Sequence, residues 1–494
     1  MRYIILAALC SCLFLKINAQ PGVLDLSFNP LGSVNAPAKK IAVQPNGKII
    51  VVGEFTEYNG VLAKYIVRIN PDGSKDTSFQ TGTGFNFITF TVAIQPDNKI
   101  LIGGDFVEYN GTSSSRIIRL NSNGSVDNTF VIGTGFNNVV HTIAIQPDGK
   151  ILAGGRFTQY NGINCNRIVR LNSNGSVDNT FKSIPGASST VEIIELQPDG
   201  KIMIGGDFNS YDNFSNIRIA RADIDGSKDA AFADTIFASR AVKCFGIQPN
   251  GYIVVGGNFV VFNLQAKNRF EKITPNGLQD IFFNVGQGAN DRIEGIKIMN
   301  DGNILLAGAF TKIKNQSLNR LAMIDSFGNI NYSFNTGIGA DEYINSLAIQ
   351  PDGKILIAGA FKSYNGITRN GIARLYNCLT PQPDTILGLT YAECRGTVQT
   401  YTINPVAGAT KYEWTLPNGW TGSSDSASIT AISDGSGGTI SVKAFTPQCG
   451  FSYATTLSIA TLQPPGINIC LVTVDTASTH NIIIWENQGY QLNR

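Results

Sequence analysis

Histidine is almost missing from this chain: His141 and His480 are the only two in 494 residues. Neither has a serine or cysteine nucleophile motif beside it, so a histidine-dependent triad has no support. The eight cysteines contain no C-x-x-C pair, which removes the common zinc-binding spacing. Charge is sparse too, at 15% of residues, with a formal net of only +2. No basic field is present for nucleic acid, and no acidic or basic tail marks a partner. No run reaches the 18 apolar residues of a membrane-spanning helix, and no glycine-rich loop opens a helix to cradle a phosphate.

What the chain does have is a repeat. A stretch of the form Q-P-D-G-K-I-L-x-G-G-x-F returns seven times at an interval of 51 residues, starting at Gln44, Gln95, Gln146, Gln197, Gln248, Met299 and Gln350. Such periods mean stacked supersecondary units. Within one copy, Thr142 to Gln146 alternates, Pro147-Asp148-Gly149 turns, and Lys150 to Phe157 reads as a second strand. A looser segment follows at Thr158 to Gly162, then a third strand at Arg167 to Asn172 and a fourth at Ser176 to Phe181. Four strands per unit predict a propeller blade.

The ends of the array predict closure. The seventh copy stops after its third strand, near Arg374 to Tyr376, while Gly22 to Phe28 matches the fourth-strand segment Gly73 to Phe79 one interval earlier. The N-terminus therefore completes the last blade and leaves no unpaired edge. The expected fold class is all-β: a closed seven-bladed β-propeller over residues 20–378, followed by an immunoglobulin-like β-sandwich.

Residues 1–19, with Arg2 before an apolar run from Tyr3 to Leu15 and Ala19 before Gln20, resemble a secretory signal peptide. Cys12 leaves a lipoprotein reading open. A linker is expected at 379–388, a sandwich at 389–462 and the start of an incomplete further domain at 463–494. In the sandwich, Cys394, Trp414 and Cys449 follow the order of immunoglobulin-like cores. Export favours a Cys394 to Cys449 disulfide, with two buried free thiols as the alternative. Cys165, Cys244, Cys378 and Cys470 show no pairing pattern.

The repeats, as in Gln146-Pro147-Asp148-Gly149-Lys150-Ile151-Leu152-Ala153-Gly154-Gly155-Arg156-Phe157, resemble the delta-60 family of bacterial propeller repeats. Tyr412-Glu413-Trp414, Leu416 to Trp420 and Cys449-Gly450 resemble the PKD-like modules of large secreted bacterial surface proteins. Cys470 to Asp475 and Ile484 to Glu486 resemble the fibronectin-like region that often follows them. The resemblance implies a secreted or cell-surface protein.

Three groups of residues are candidates for function. The first is Tyr58 with Asn59, Tyr109 with Asn110, Tyr160 with Asn161, Tyr211, and Tyr364 with Asn365, which are candidate ligand contacts on the longer-loop face, with tyrosines packed under their own turns and asparagines supporting them as the alternative. The second is the column Lys39, Phe90, His141, Glu192, Lys243, Glu294 and Asn345, expected at the mouth of the central channel. Within it, Glu192 and Glu294 are candidate catalytic carboxylates for glycoside chemistry. The third is calcium, at Asp223, Asp225 and Asp229, where oxygen ligands stand at loop-like spacing. The reading these favour is a non-catalytic, monomeric propeller that binds an extracellular glycan or protein, without a resident cofactor. A polysaccharide-active enzyme is the alternative.

Overall fold

A computed structural model describes residues 21–28, 34–182, 184–215, 217–233, 236–377, 380–392, 394–446, 450–452 and 454–461, together with the backbone of the strands Ile469–Val474 and Asn481–Trp485. The chain divides into one compact unit at Pro21–Asn377 and a second beyond it. All regular elements among the described residues are strands. The expected signal peptide, with Cys12, lies outside the described residues, as do Cys378 and Cys449. The Cys394 to Cys449 disulfide therefore stands as a proposal.

In the first unit the 51-residue beat becomes a repeated three-stranded sheet, of which seven occur among the described residues. In the third copy Val140–Ile145 pairs with Ile151–Gly155, which pairs in turn with Ile168–Leu171. The middle strand is buried along its whole length, as its apolar run requires, while the inner strand is buried at Val140, Thr142 and Ile143 and only partly at His141, Ala144 and Ile145. Two details depart from expectation. The loose segment at Thr158 to Gly162 is a tight two-stranded hairpin, Gln159–Tyr160 with Ile163–Asn164. The expected fourth strand is a single bridge, Leu171 to Val177, followed by a turn.

That turn has a chemical cause. Asp178 accepts hydrogen bonds from the amide and hydroxyl of Thr180, at 3.0 and 2.7 Å, which curls the chain and carries Phe181 into the core. Its other oxygen receives Arg170 Nε at 2.8 Å and Lys150 Nζ at 3.0 Å. Arg170 lies over the ring of Phe181, 4.9 Å from its centroid, and donates to the carbonyl of Ile224 in the next copy. The same clasp recurs as Arg68 with Asp76, Arg119 with Asp127, and Arg221 with Asp229. Lys272 with Asp280 keeps it in the fifth copy. Met323 and Asn331 replace it in the sixth.

At the seam the clasp joins the two ends of the unit. Arg374 pairs with Asp25 at 2.8 Å, lies 4.6 Å from the Phe28 centroid and donates to the carbonyl of Pro71 in the first copy. Gly22 N donates to Tyr376 O at 2.7 Å, and Asp25 N to Arg374 O at 2.8 Å. Phe28, Ile41 and Ile49 share one core cluster with Ala348, Leu356 and Ile372. The ring is thus closed by side chains and backbone from its opposite ends.

The second unit is a sandwich. Val398–Thr402 pairs with Ser428–Ile432 in one sheet, and Gly438–Thr446 lies between Lys411–Thr415 and Thr455–Thr461 in the other. Trp420, at 7% exposure, takes the core place expected of Trp414. Trp414 is only partly buried and donates Nε1 to Ser426 O at 2.9 Å. The expected linker is also part of the fold. Ile386 is buried in the core, Leu387 bridges Thr402, and Thr380 bonds to Thr446. Its apolar residues, outweighed in the sequence by two prolines, are what bury it. Farther on, Ile469–Val474 and Asn481–Trp485 pair antiparallel.

Removing the seam carboxylate should be costly. Asp25→Ala leaves the buried Arg374 without its partner and should lower unfolding free energy by about 3 kcal/mol. The exposed Asp97→Ala should change it by less than about 0.5 kcal/mol; urea titration measures both. Acid should weaken the same contact. Burial pushes the Asp25 carboxyl up, but the Ser27 hydrogen bonds and the charges of Arg374 and Lys354 outweigh it and bring it from 3.8 down to about 2. The folded value lies below the unfolded one, so this stability is complete above pH 3.8 and is lost as pH falls through about 2. Acid titration of wild type should show that loss, and Asp25→Ala should flatten it.

Candidate functional site

Every inner strand carries a β-bulge near its start, and the bulged residue is the channel-mouth column. In the third copy Val140 faces Gly155 and Thr142 faces Gly154, so His141 has no partner of its own. The same slip singles out Lys39, Glu192 and Glu294 in their copies. A bulge turns its extra side chain away from the sheet, here toward the hub. The paired glycine is what admits it: a Cβ on Gly155 would sit 2.1 Å from the Val139 carbonyl oxygen. All seven column residues line one cavity of about 300 Å³, with Lys40, Arg156, Arg292 and Tyr343 among its other walls.

The cavity is electrostatically mixed. Glu192 lies 3.1 Å from Lys243 Nζ and 3.9 Å from His141 Nδ1. Glu294 receives Arg292 Nε at 2.6 Å, and Lys39 reaches Glu54 at 2.7 Å. Arg292 also lies 5.1 Å from the centroid of Tyr343, and Phe90 packs 5.2 Å from His141. Burial pushes the His141 imidazole below its ordinary value; Glu192 opposes this while Arg156 and Lys243 add to it. Its Nε2 is buried and has no hydrogen-bond partner. The two candidate catalytic carboxylates thus share one cavity, each matched to a cation.

The tyrosines lie elsewhere. Tyr58, Tyr109, Tyr160, Tyr211 and Tyr364 are at most 1% exposed, which corrects their candidacy as ligand contacts and fits the alternative of packing under their turns. Each hydroxyl donates to a glycine carbonyl, as Tyr109 does to Gly124 and Tyr160 to Gly175, both at 2.7 Å. Tyr364 donates across the seam to Gly22 at 2.8 Å. Burial raises the phenol pKa of Tyr109 and Tyr160. The neighbouring asparagines are exposed but serve as braces. Asn59, Asn110, Asn161 and Asn365 hold left-handed turns. The side-chain oxygens of Asn110, Asn161 and Asn365 accept amides of the preceding inter-copy loop, from Thr83, Thr134 and Ile338.

The calcium candidates do not converge. Asp223 is paired with Lys201 at 2.7 Å, Asp225 accepts from Ser227 and pairs with Lys182 at 3.2 Å, and Asp229 belongs to the Arg221 clasp. A lysine or arginine already engages one oxygen of each carboxylate, in competition with a hard cation. Of the unassigned thiols, Cys165 is buried and pushed up to about 12, and burial raises Cys244 well above its usual range. Neither environment activates a nucleophile.

Three features escaped the sequence reading: the arginine-aspartate clasp, the unpaired Arg156 and Lys40 at the mouth, and a column of left-handed arginines, Arg116, Arg167, Arg218, Arg269 and Arg320. The clasp keeps the 51-residue beat and was visible as a column. Arg156 and Lys40 break the beat, which is a signal of a different kind.

Fold and cavity together define a β-propeller followed by a sandwich module. Residues 44–79, 95–130, 146–181, 197–232, 300–334 and 350–376 match the family model described as a domain of unknown function (DUF5122) beta-propeller. Residues 379–459 match a PKD-like domain. The chain carries DUF5122 β-propeller repeats and a PKD-like domain. The unmatched fifth copy is the one in which Lys272 and Tyr252 replace the clasp arginine and its companion lysine.

Comparison with characterised protein sequences gives no match. Among solved structures, the extracellular domain of a hybrid two-component system from B. thetaiotaomicron is similar at 12% identity and a TM-score of 0.47, covering 90% of this chain and 59% of that one. PorZ, a surface component of the type-IX secretion system of Porphyromonas gingivalis, is similar at 12% identity and a TM-score of 0.38, covering 86% and 60%. A fungal alcohol oxidase of the AA5 family is similar at 12% identity and a TM-score of 0.38, covering 89% and 98%. The chain spans about three fifths of the length of the first two.

The burial of the tyrosines makes a direct prediction. Tyr160→Phe removes one buried hydrogen bond and should lower stability by about 1 kcal/mol while leaving any ligand retention at the channel mouth unchanged. Thermal melting and a retention assay on the same variant check both halves.

Proposed function

We propose that the protein is a secreted or cell-surface binding module without catalytic activity, and that it holds a glycan or protein ligand at the channel mouth. The observation that carries this reading is the bulge column. Seven equivalent backbone positions aim seven side chains of five different types at one cavity. Uniform side chains would suit packing. A set of lysine, phenylalanine, histidine, glutamate and asparagine around a single opening suits recognition of one asymmetric ligand. The signal-like residues 1–19 support export, and the Cys394 to Cys449 disulfide belongs to the same reading.

Glu192 and Glu294, in one cavity, favour a second reading, a polysaccharide-active enzyme. Glycoside hydrolysis needs one carboxyl kept protonated beside an ionised one. Here each carboxylate has its own cation, Lys243 and Arg292, which suits two anchors better than an acid and a base. Incubation of the purified protein with an array of polysaccharides, scored for retention and for new reducing ends, distinguishes the two. Retention without release is expected. Release that disappears in Glu192→Gln or Glu294→Gln would establish the enzyme instead.

A further inference from the structure

Most charges at the channel mouth cancel locally. Lys39 is matched by Glu54, Lys243 by Glu192 and Arg292 by Glu294. The left-handed arginines of the second and fourth copies are matched by the residue that follows the middle strand: Arg116 by Asp105 at 3.4 Å and Arg218 by Asp207 at 3.2 Å. In the third copy that acidic position is occupied by Arg156. Its neighbour Arg167 keeps the same left-handed backbone and donates to the Arg156 carbonyl oxygen at 2.9 Å. Two guanidinium groups therefore stand where the flanking copies have an ion pair, and neither has a carboxylate partner among the described residues.

A second unmatched cation lies deeper. Lys40 lines the same cavity, in a column otherwise filled by threonine, isoleucine, cysteine, glycine and serine. Its ammonium has no ion-pair partner among the described residues. Burial lowers its pKa, the like charge of Lys297 adds to this, and Glu195 opposes it. An anion in the cavity would relieve that position. Neither Arg156 nor Lys40 is needed by the repeat, since the other copies fold without them.

We infer that the third copy takes from its ligand the carboxylate it lacks in its own sequence, so that the channel mouth binds an acidic saccharide through Arg156 and Lys40. This deepens the binding reading above and rests on it. A planar guanidinium donates hydrogen bonds to both oxygens of a carboxylate, and Lys40 supplies a point charge in the same cavity. The remaining walls suit a sugar ring. Phe90 and Tyr343 offer flat apolar faces, Thr91 and Thr142 offer hydroxyls, and His141 Nε2 is an unused polar atom. A volume of about 300 Å³ fits one or two sugar residues.

The test is calorimetric titration of the full chain with digalacturonate and with its neutral counterpart galactobiose, at low and high salt. Digalacturonate should bind at least about tenfold more tightly than galactobiose, and salt should weaken it. Arg156→Asp restores the residue type of the flanking copies and a partner for Arg167, so it should melt no lower than wild type yet lose at least about tenfold in digalacturonate affinity. Lys40→Met should lose affinity in the same direction. Equal affinity for the two sugars, unchanged digalacturonate binding in a folded Arg156→Asp protein, or no binding of either sugar would each overturn the inference. The wider binding reading is judged separately, by retention on the polysaccharide array.

Discussion

The clasp between an arginine, an aspartate and a phenylalanine is the interaction on which the ring depends. In one residue trio it pairs a buried charge, turns the chain after its third strand and reaches a carbonyl of the next copy, as Arg170 does with Asp178, Phe181 and Ile224. A buried ion pair is weak evidence of net stability, because desolvation offsets much of the attraction. Its geometric consequence is firmer. Each clasp ties its copy to a carbonyl of the next, and only the sixth copy, with Met323 and Asn331, lacks the ion pair among the described residues. At the seam the same trio is split between Arg374 near one end of the unit and Asp25 and Phe28 near the other.

Around that constant frame the hub is free to vary. The bulge that exposes His141, Glu192 or Lys39 is imposed by backbone and a glycine, so the side chain at the bulge carries little structural duty. Residues that keep the beat therefore build sheets, and residues that break it are available for recognition. Arg156 shows the principle at one site. Replacing an acidic position with a basic one leaves the sheet intact and changes the charge of the mouth.

Much of this was legible in the sequence because period and side-chain type varied together. The closure of the array through Gly22 to Phe28 and the placement of the channel-mouth column both follow from counting, and the structure has both. The misreadings have physical causes. Tyr160 and its equivalents look like binding residues because an amphipathic ring beside Asn-Gly suits a surface. What lets them be buried is a carbonyl acceptor for the hydroxyl, 15 residues on in four copies and across the seam for Tyr364, a contact that no local pattern reveals. Ser176 to Phe181 has strand-like composition, but Asp178 engages Thr180 and Arg170 and breaks the strand. Thr380 to Gly388 reads as a linker by its prolines, whereas Ile386 is claimed by the sandwich core.

The central claim is that residues 21–28 are an integral part of the last sheet. Amide hydrogen exchange followed residue by residue tests it most directly. Gly22 N and Asp25 N, which donate to Tyr376 and Arg374, should be protected as strongly as the strand Ile168–Leu171 of the third copy. Rapid exchange at Gly22 and Asp25 while Ile168–Leu171 stays protected would contradict the account.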